Sequence, residues 1–226
     1  AAHYVEVMLT FQPQGPYYLG GYCFGARVAF EMGRQLQAMG REVVFLALID
    51  TYAPGDFRPQ SDMPIVLQQI CKFWDMARRF SSIVRYISWL DRGKRLSYVA
   101  KMAKFHLRAL LRSLYTYRGR PLPGFLRPDP VGERGNLSDH LRDYQPKVYP
   151  GRATLFRPSQ QPLGIPRLPH MGWGELVDGD LEIEEVPGYH HTLIYRPKVR
   201  PLAERVQRHL HNAQVRWGEA QRVGLD

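Results

Sequence analysis

Cysteine is scarce in this chain: of 226 residues, only Cys23 and Cys71 carry a thiol. Two are too few for a disulfide framework, and neither stands at metal-ligand spacing, so a reducing compartment and a free thiol at Cys23 are expected. Long apolar runs are missing as well. No stretch approaches the roughly 18 uninterrupted apolar residues of a membrane span. The opening "AAHYVEVMLTFQPQG" has no basic region followed by an apolar block. The expectation is a soluble, cytoplasmic protein with no membrane partner. Acidic residues run short in the middle: from Ile65 to Arg120, thirteen Lys and Arg stand against only Asp75 and Asp91, which accounts for the formal charge of +10. No RNA-binding or zinc-finger signature accompanies these basic residues, so nucleic acid is not an expected partner; an acidic protein or plain solvent faces them instead.

With 44% hydrophobic residues the chain can bury a sizeable core, and its length suits one domain with an insertion. No internal repeat is visible. Residues 3–9, "HYVEVML", have helical spacing, and "PYYLGGYCFGARVAFEMGRQL" passes from a buried strand at Tyr17–Gly21 through glycines into a helix over Arg27–Met39 capped by Gly40. "EVVFLALID" reads as a buried parallel strand ending at Asp50. Helical patterns follow at Ile65–Phe80, Ser82–Leu90 and Leu96–Tyr117, and then the Pro- and Gly-rich "RGRPLPGFLRPDPVGERG". A short helix at Leu137–Tyr144, strands at Ala153–Arg157 and Leu181–Val186, and a helix from Lys198 to about Ala213 restore the β-α rhythm. The class is α/β: a mostly parallel, doubly wound sheet with a helical insertion.

Gly21-Tyr22-Cys23-Phe24-Gly25 has the form of a nucleophile elbow, with cysteine where serine is usual. The turn holds its nucleophile in a strained backbone conformation at a helix N-terminus, where a thiolate is stabilised. Side chains at Gly21 or Gly25 are expected to collide with the neighbouring strand and helix, so neither glycine is replaceable. A doubly wound sheet puts its working residues at the carboxyl ends of its strands. Cys23, Asp50 and His190 fall at such ends, in the order nucleophile, acid, histidine. Each has a plainer alternative. Asp50 could cap its loop, with Asp56 as the local competitor, and His191 adjoins His190. Cys71, inside "LQQICKFWDM", reads as a small buried hydrophobe. His3, His106, His140, His170, His209 and His211 show no metal-like spacing with acids or cysteines. Trp173 and the aromatic residues of the insertion suit either core or channel wall.

Taken together, "GPYYLGGYCFGARVAFEMGRQL", "LALIDTYAPG", "YPGRATLFRP", "GWGEL" and "EIEEVPGYHHTLIYRPKVRPLAERV" resemble the type I thioesterase domains that terminate nonribosomal peptide and polyketide synthetases. The resemblance runs from about residue 1 to 213. It implies an α/β-hydrolase core at 1–51 and 145–226 with a helical lid at 52–144. It also implies a triad of Cys23, Asp50 and His190, the last in the family's Pro-Gly-x-His pattern, with the Phe24 backbone N–H in the oxyanion hole and no metal. No bound cofactor is implied. The substrate would be an acyl, peptidyl or polyketide chain on the phosphopantetheine of a carrier-protein domain in the same polypeptide, released by hydrolysis or cyclisation.

Family members have further strands before the elbow and a loop giving a second oxyanion donor, for which these residues offer no counterpart. The expectation is an N-terminally incomplete domain that is a poor catalyst alone. The basic insertion would then steer an acidic carrier protein and its phosphodiester arm, at Arg92, Lys94, Arg95, Lys101, Lys104 and Arg108. Two other functions fit the same residues: an aminoacyl or acyl transferase shuttling between carrier proteins, and a catalytically silent carrier-docking module.

Overall fold

The structure, a computed structural model, describes residues 1–54, 88, 91–118, 120–126, 144–161, 168–196 and 198–223. It divides into two compact units, Ala1–Asp75 with Tyr144–Asp226, and Met76–Asp143. The first unit holds helix α1 (Ala2–Phe11), strand β1 (Tyr17–Tyr22), helix α2 (Phe24–Ala38) and strand β2 (Val43–Ile49). The second holds helix α3 (Arg92–Tyr117). Back in the first unit come β3 (Ala153–Pro158), β4 (Leu181–Val186) and helix α4 (Val199–Val223).

The four strands lie in the order β1-β2-β3-β4, every neighbouring pair parallel. Buried alternation explains the layering. Leu46 and Leu48 of β2 and Leu155 of β3 point to one face, where they meet Val5 of α1 and Ala26, Phe30 and Leu36 of α2. Phe45, Ala47 and Phe156 point to the other, against Leu202 and Ala213 of α4. Helices on both faces require strands that are apolar on both sides, which is why β2 is an unbroken run, VVFLALI. The α/β class read from the sequence is therefore the observed one.

Local signals explain the boundaries. Beyond Ala38, Arg41 N–H donates to the Leu36 carbonyl and Gly40 N–H to that of Gln37, both at 2.9 Å, with Gly40 at φ 71°. This is the Schellman arrangement, and only glycine takes that backbone without steric cost. The last helix differs from expectation. It continues ten residues past Ala213, to Val223, through Gly218, which has open space around it. Glycine weakens a helix by only about 1 kcal/mol, too little to end one whose flanks still favour it. Trp173 is fully buried against Phe30, with ring centroids 4.9 Å apart, so it is core. The helices expected at 65–80 and, save Ser88, 82–90, the short helix at 137–144 save Tyr144, and Cys71 and Asp56 lie outside the described residues. Among the described residues, no helix is long and apolar enough to cross a membrane.

One ionic contact inside the first unit carries a pH signature. Burial alone would raise the Glu31 carboxyl, but hydrogen bonds from Arg34, Tyr144 and Gln35 hold it down to about 2. A depressed carboxylate stabilises the fold above its unfolded value, and that stability is lost as pH falls towards the folded one. Glu31→Gln is expected to cost about 3 kcal/mol at neutral pH, as read by denaturant unfolding. The gap from wild type should close between about pH 5 and pH 2. A gap that stays constant across that range would contradict the assignment.

Candidate active site

The carboxyl end of β1 carries the sharp turn. Cys23 sits at φ 55°, ψ −122°, between Tyr22 at the strand end and Phe24 at the helix start. A non-glycine residue held there stores strain, which places are kept for when geometry demands it. The Cys23 N–H donates to the Ile49 carbonyl at 2.9 Å, so the elbow is tied to β2. Phe24 is the first residue of α2, and its amide belongs to the set that a helix leaves without an internal acceptor. Cys23 is a free, half-buried thiol.

The glycines on either side have unequal roles. A Cβ on Gly21 would lie 2.2 Å from the carbonyl carbon and oxygen of Gly25 and 2.5 Å from the Ala26 nitrogen. Backbone meets backbone at this crossing, and nothing flexible can yield. Gly25 corrects the expectation: a Cβ there meets nothing within 4 Å among the described residues. The strand crosses the helix at Gly25's backbone, which every residue type has, so its side chain is not what the turn excludes.

The acid and the histidine meet. Asp50 follows β2 at φ 46° and is 6% exposed; its N–H donates to the Phe156 carbonyl at 2.9 Å. His190 opens a short 3-10 turn after β4, and its Nδ1 lies 2.8 Å from Asp50 Oδ2. An ionised carboxylate only accepts, so the Nδ1–H donates and Nε2 keeps its lone pair while the ring is neutral. The loop after Asp50 is pinned at two carbonyls. The Trp173 indole N–H donates to Thr51 at 2.7 Å, and Arg27 Nε–H donates to Tyr52 at 3.0 Å.

Tyr22 was not singled out by sequence reasoning. Its ring stacks on His190 with centroids 4.9 Å apart and planes at 22°, and its hydroxyl donates to the His190 carbonyl at 2.5 Å. Burial, followed by the charges of Asp50, Cys23 and Tyr195, pushes the phenol well above its ordinary range, so it stays a neutral donor. The only sequence signal was an aromatic residue immediately before the candidate nucleophile. His170 and His209 stand elsewhere; His209 is held between Glu182 and Glu184 of β4 at 2.9 and 3.0 Å. Among the described residues, no group of three or more His, Cys, Asp or Glu could hold a metal ion.

Solved proteins share this architecture, which is that of the α/β-hydrolase-like enzymes. The NocB thioesterase domain, in a covalent complex with a fluorophosphonate nocardicin G analog, is similar at TM-score 0.56 and 25% identity, over 92% of this chain and 72% of that one. A four-domain nonribosomal peptide synthetase, holo-AB3403, is similar at TM-score 0.55 and 26% identity, over 92% of this chain and 15% of that one. The family follows from sequence: the Thioesterase domain model matches residues 1–212, and the chain belongs to that family of enzymes acting on thioesters. Among curated relatives, the non-reducing polyketide synthase atnG of Arthrinium sp is 30% identical over 212 residues, 92% of this chain and 10% of that protein. Chondramide synthase cmdD of Chondromyces crocatus is 26% identical over 217 residues, 91% of this chain and 5% of that protein. The chain thus spans about a tenth or less of the length of these relatives.

The two glycines can be separated experimentally. Gly21→Ala should destabilise the chain by upward of about 3 kcal/mol, since overpacked backbone cannot relax. Gly25→Ala, in open space, should stay within about 1 kcal/mol of wild type and on the stabilising side. Thermal unfolding of both variants checks this; equal losses would show that the crossing is not where the turn is constrained.

Proposed function

We propose that this chain takes an acyl, peptidyl or polyketide chain from the phosphopantetheine thioester of a carrier-protein domain onto Cys23, and releases it from there. The observation that carries the reading is the Asp50–His190 hydrogen bond of 2.8 Å at the strand ends, beside an elbow whose apex is a free cysteine. Membership of the thioesterase domain family, and relatives that are polyketide and peptide synthases, support it.

In this reading His190 Nε2 accepts the Cys23 proton while Asp50 keeps the tautomer and stabilises the imidazolium. The thiolate adds to the thioester carbonyl. The oxyanion is met by the Phe24 N–H, a donor of a kind worth about 2.7 to 4 kcal/mol in the barrier. Collapse breaks the carbon–sulfur bond to pantetheine, whose sulfur takes the proton back from His190, and Cys23 is left acylated. Water, or an amine or hydroxyl within the chain, then attacks the Cys23 thioester by the same proton route, giving hydrolysis or cyclisation.

Cysteine alters the energetics of both halves. Exchanging pantetheine sulfur for Cys23 sulfur converts one thioester into another and is nearly thermoneutral, whereas serine would give a more stable oxygen ester. The intermediate keeps its acylating power, which suits a reluctant or strained acceptor such as an amide-forming amine. Cys23→Ala should abolish the acyl adduct seen by intact-protein mass spectrometry after incubation with a pantetheine thioester. Cys23→Ser should acylate but release more slowly. An adduct that persists at full level in Cys23→Ala would overturn the nucleophile assignment.

The carrier-protein partner generates a separate expectation. Helix α3 contains no acidic residue, and Lys101, Lys104 and Arg108, three and four residues apart, share one exposed face. Such a face attracts an acidic carrier through long-range fields that weaken as the Debye length falls from about 10 Å at 0.1 M salt to 3 Å at 1 M. Reversing all three charges should lower the apparent second-order rate constant for a carrier-bound substrate at low salt and leave a small neutral thioester unaffected. Equal losses on both substrates would contradict docking as the role of this face.

A further inference from the structure

The acidic pair around His209 is a closed ion-pair cluster, with Arg205, Arg208 and Arg216 also on its two carboxylates. The exposed apolar residues of α1, Tyr4, Val7 and Phe11, have nothing in the structure that says what covers them. The basic face of α3 already belongs to the proposed function. The contact between Tyr22 and His190 joins residues 168 apart in the chain, and none of the roles assigned above uses it.

The hydrogen bond at Nδ1 fixes one atom of the His190 imidazole. Tyr22 constrains the ring from two further directions. Its ring lies nearly parallel to the imidazole, 4.9 Å between centroids, and blocks rotation out of plane. Its hydroxyl holds the His190 carbonyl at 2.5 Å, fixing the backbone from which the ring hangs. The adjoining loop is also tied to the segment that follows β3, with Gln160 N–H on the Gly188 carbonyl at 3.0 Å, so Tyr22 adds the tie across to β1. Because Tyr22 directly precedes Cys23, any displacement of the elbow carries this clamp with it. Nucleophile and base therefore move as one body.

We infer that Tyr22 is a positioning residue for His190, holding the imidazole in the orientation in which Nδ1 stays on Asp50 and Nε2 is kept for the proton of Cys23. This rests on the reading of Cys23, Asp50 and His190 given above. The stack has a second effect. An aromatic face stabilises a cation laid against it, so Tyr22 favours the imidazolium that forms when Cys23 loses its proton. Tyr22 touches no reacting atom and acts wholly through His190.

The test uses the full 226-residue chain and two readouts. One is the rate of Cys23 alkylation by iodoacetamide as a function of pH, with peptide-resolved mass spectrometry separating Cys23 from Cys71. The other is the single-turnover acylation rate with octanoyl-pantetheine. Tyr22→Leu should slow both by about tenfold near neutral pH, move the alkylation profile to higher pH, and leave apparent affinity for the thioester within about twofold. Tyr22→Phe, which keeps the stack, should recover most of the rate, leaving about a threefold loss. In a His190→Ala background, Tyr22→Leu should cost nothing further, since the residue through which it acts is gone. Wild-type rates and profile in Tyr22→Leu, a loss confined to affinity, or an undiminished loss in the His190→Ala background would each overturn the inference. If Tyr22→Leu fails to fold, Tyr22→Phe carries the test: its loss must vanish without His190, and persistence there refutes the clamp. An acyl adduct surviving in Cys23→Ala would instead sink the underlying reading, whatever the Tyr22 variants do.

Discussion

The 2.8 Å hydrogen bond between His190 and Asp50 closes an interval of 140 residues, and the parallel sheet makes that closure possible. Parallel strands all end at one edge, so the residue after β2 and the turn after β4 emerge on the same side of the molecule. Asp50 is held there by more than its own side chain. Its N–H is bonded to β3 through Phe156, and the next carbonyl, that of Thr51, receives the buried indole of Trp173. A carboxylate 6% exposed, oriented by backbone on one side and a buried aromatic on the other, costs little further entropy when it pairs with the histidine.

The Cys23 side of the site is built on a different constraint. Gly21 lets the strand pass within contact of the first turn of α2, and that crossing forces Cys23 into positive φ. Strain at this residue is offset by the buried apolar packing of α2 through Ala26, Phe30 and Leu36. The consequence is a thiol held at the N-terminus of α2. Packing energy from the core is thus converted into the position of one sulfur atom.

Much of this was legible in the sequence because it rests on local pattern. The run VVFLALI could only be a strand buried on both faces, and the Gly-x-Cys-x-Gly turn between strand and helix pointed to its own geometry. Asp50 and His190 were candidates by their places at strand ends, and their membership of one triad was what the family resemblance implied. What escaped was non-local or depended on exact packing. Nothing in the spacing of Tyr22 linked it to a residue 168 positions later. Glu182 and Glu184, two apart on one face of β4, gave no sign that His209 of α4 would settle between them. A collision was expected at Gly25 as at Gly21, yet the crossing is asymmetric and only a Cβ on Gly21 would meet backbone. The last helix was expected to end at about Ala213, yet it runs on through Gly218 to Val223.

In the proposed mechanism Asp50 sets the tautomer of His190 and so leaves Nε2 available to the thiol. Nitrogen-15 NMR of the histidine side chains reports this without any turnover. With the imidazole neutral, the predicted spectrum shows His190 protonated at Nδ1, with a downfield Nδ1–H proton, and an unprotonated Nε2; in Asp50→Asn that proton signal should move or vanish. A His190 ring protonated at Nε2 in the wild-type chain would contradict this role for Asp50.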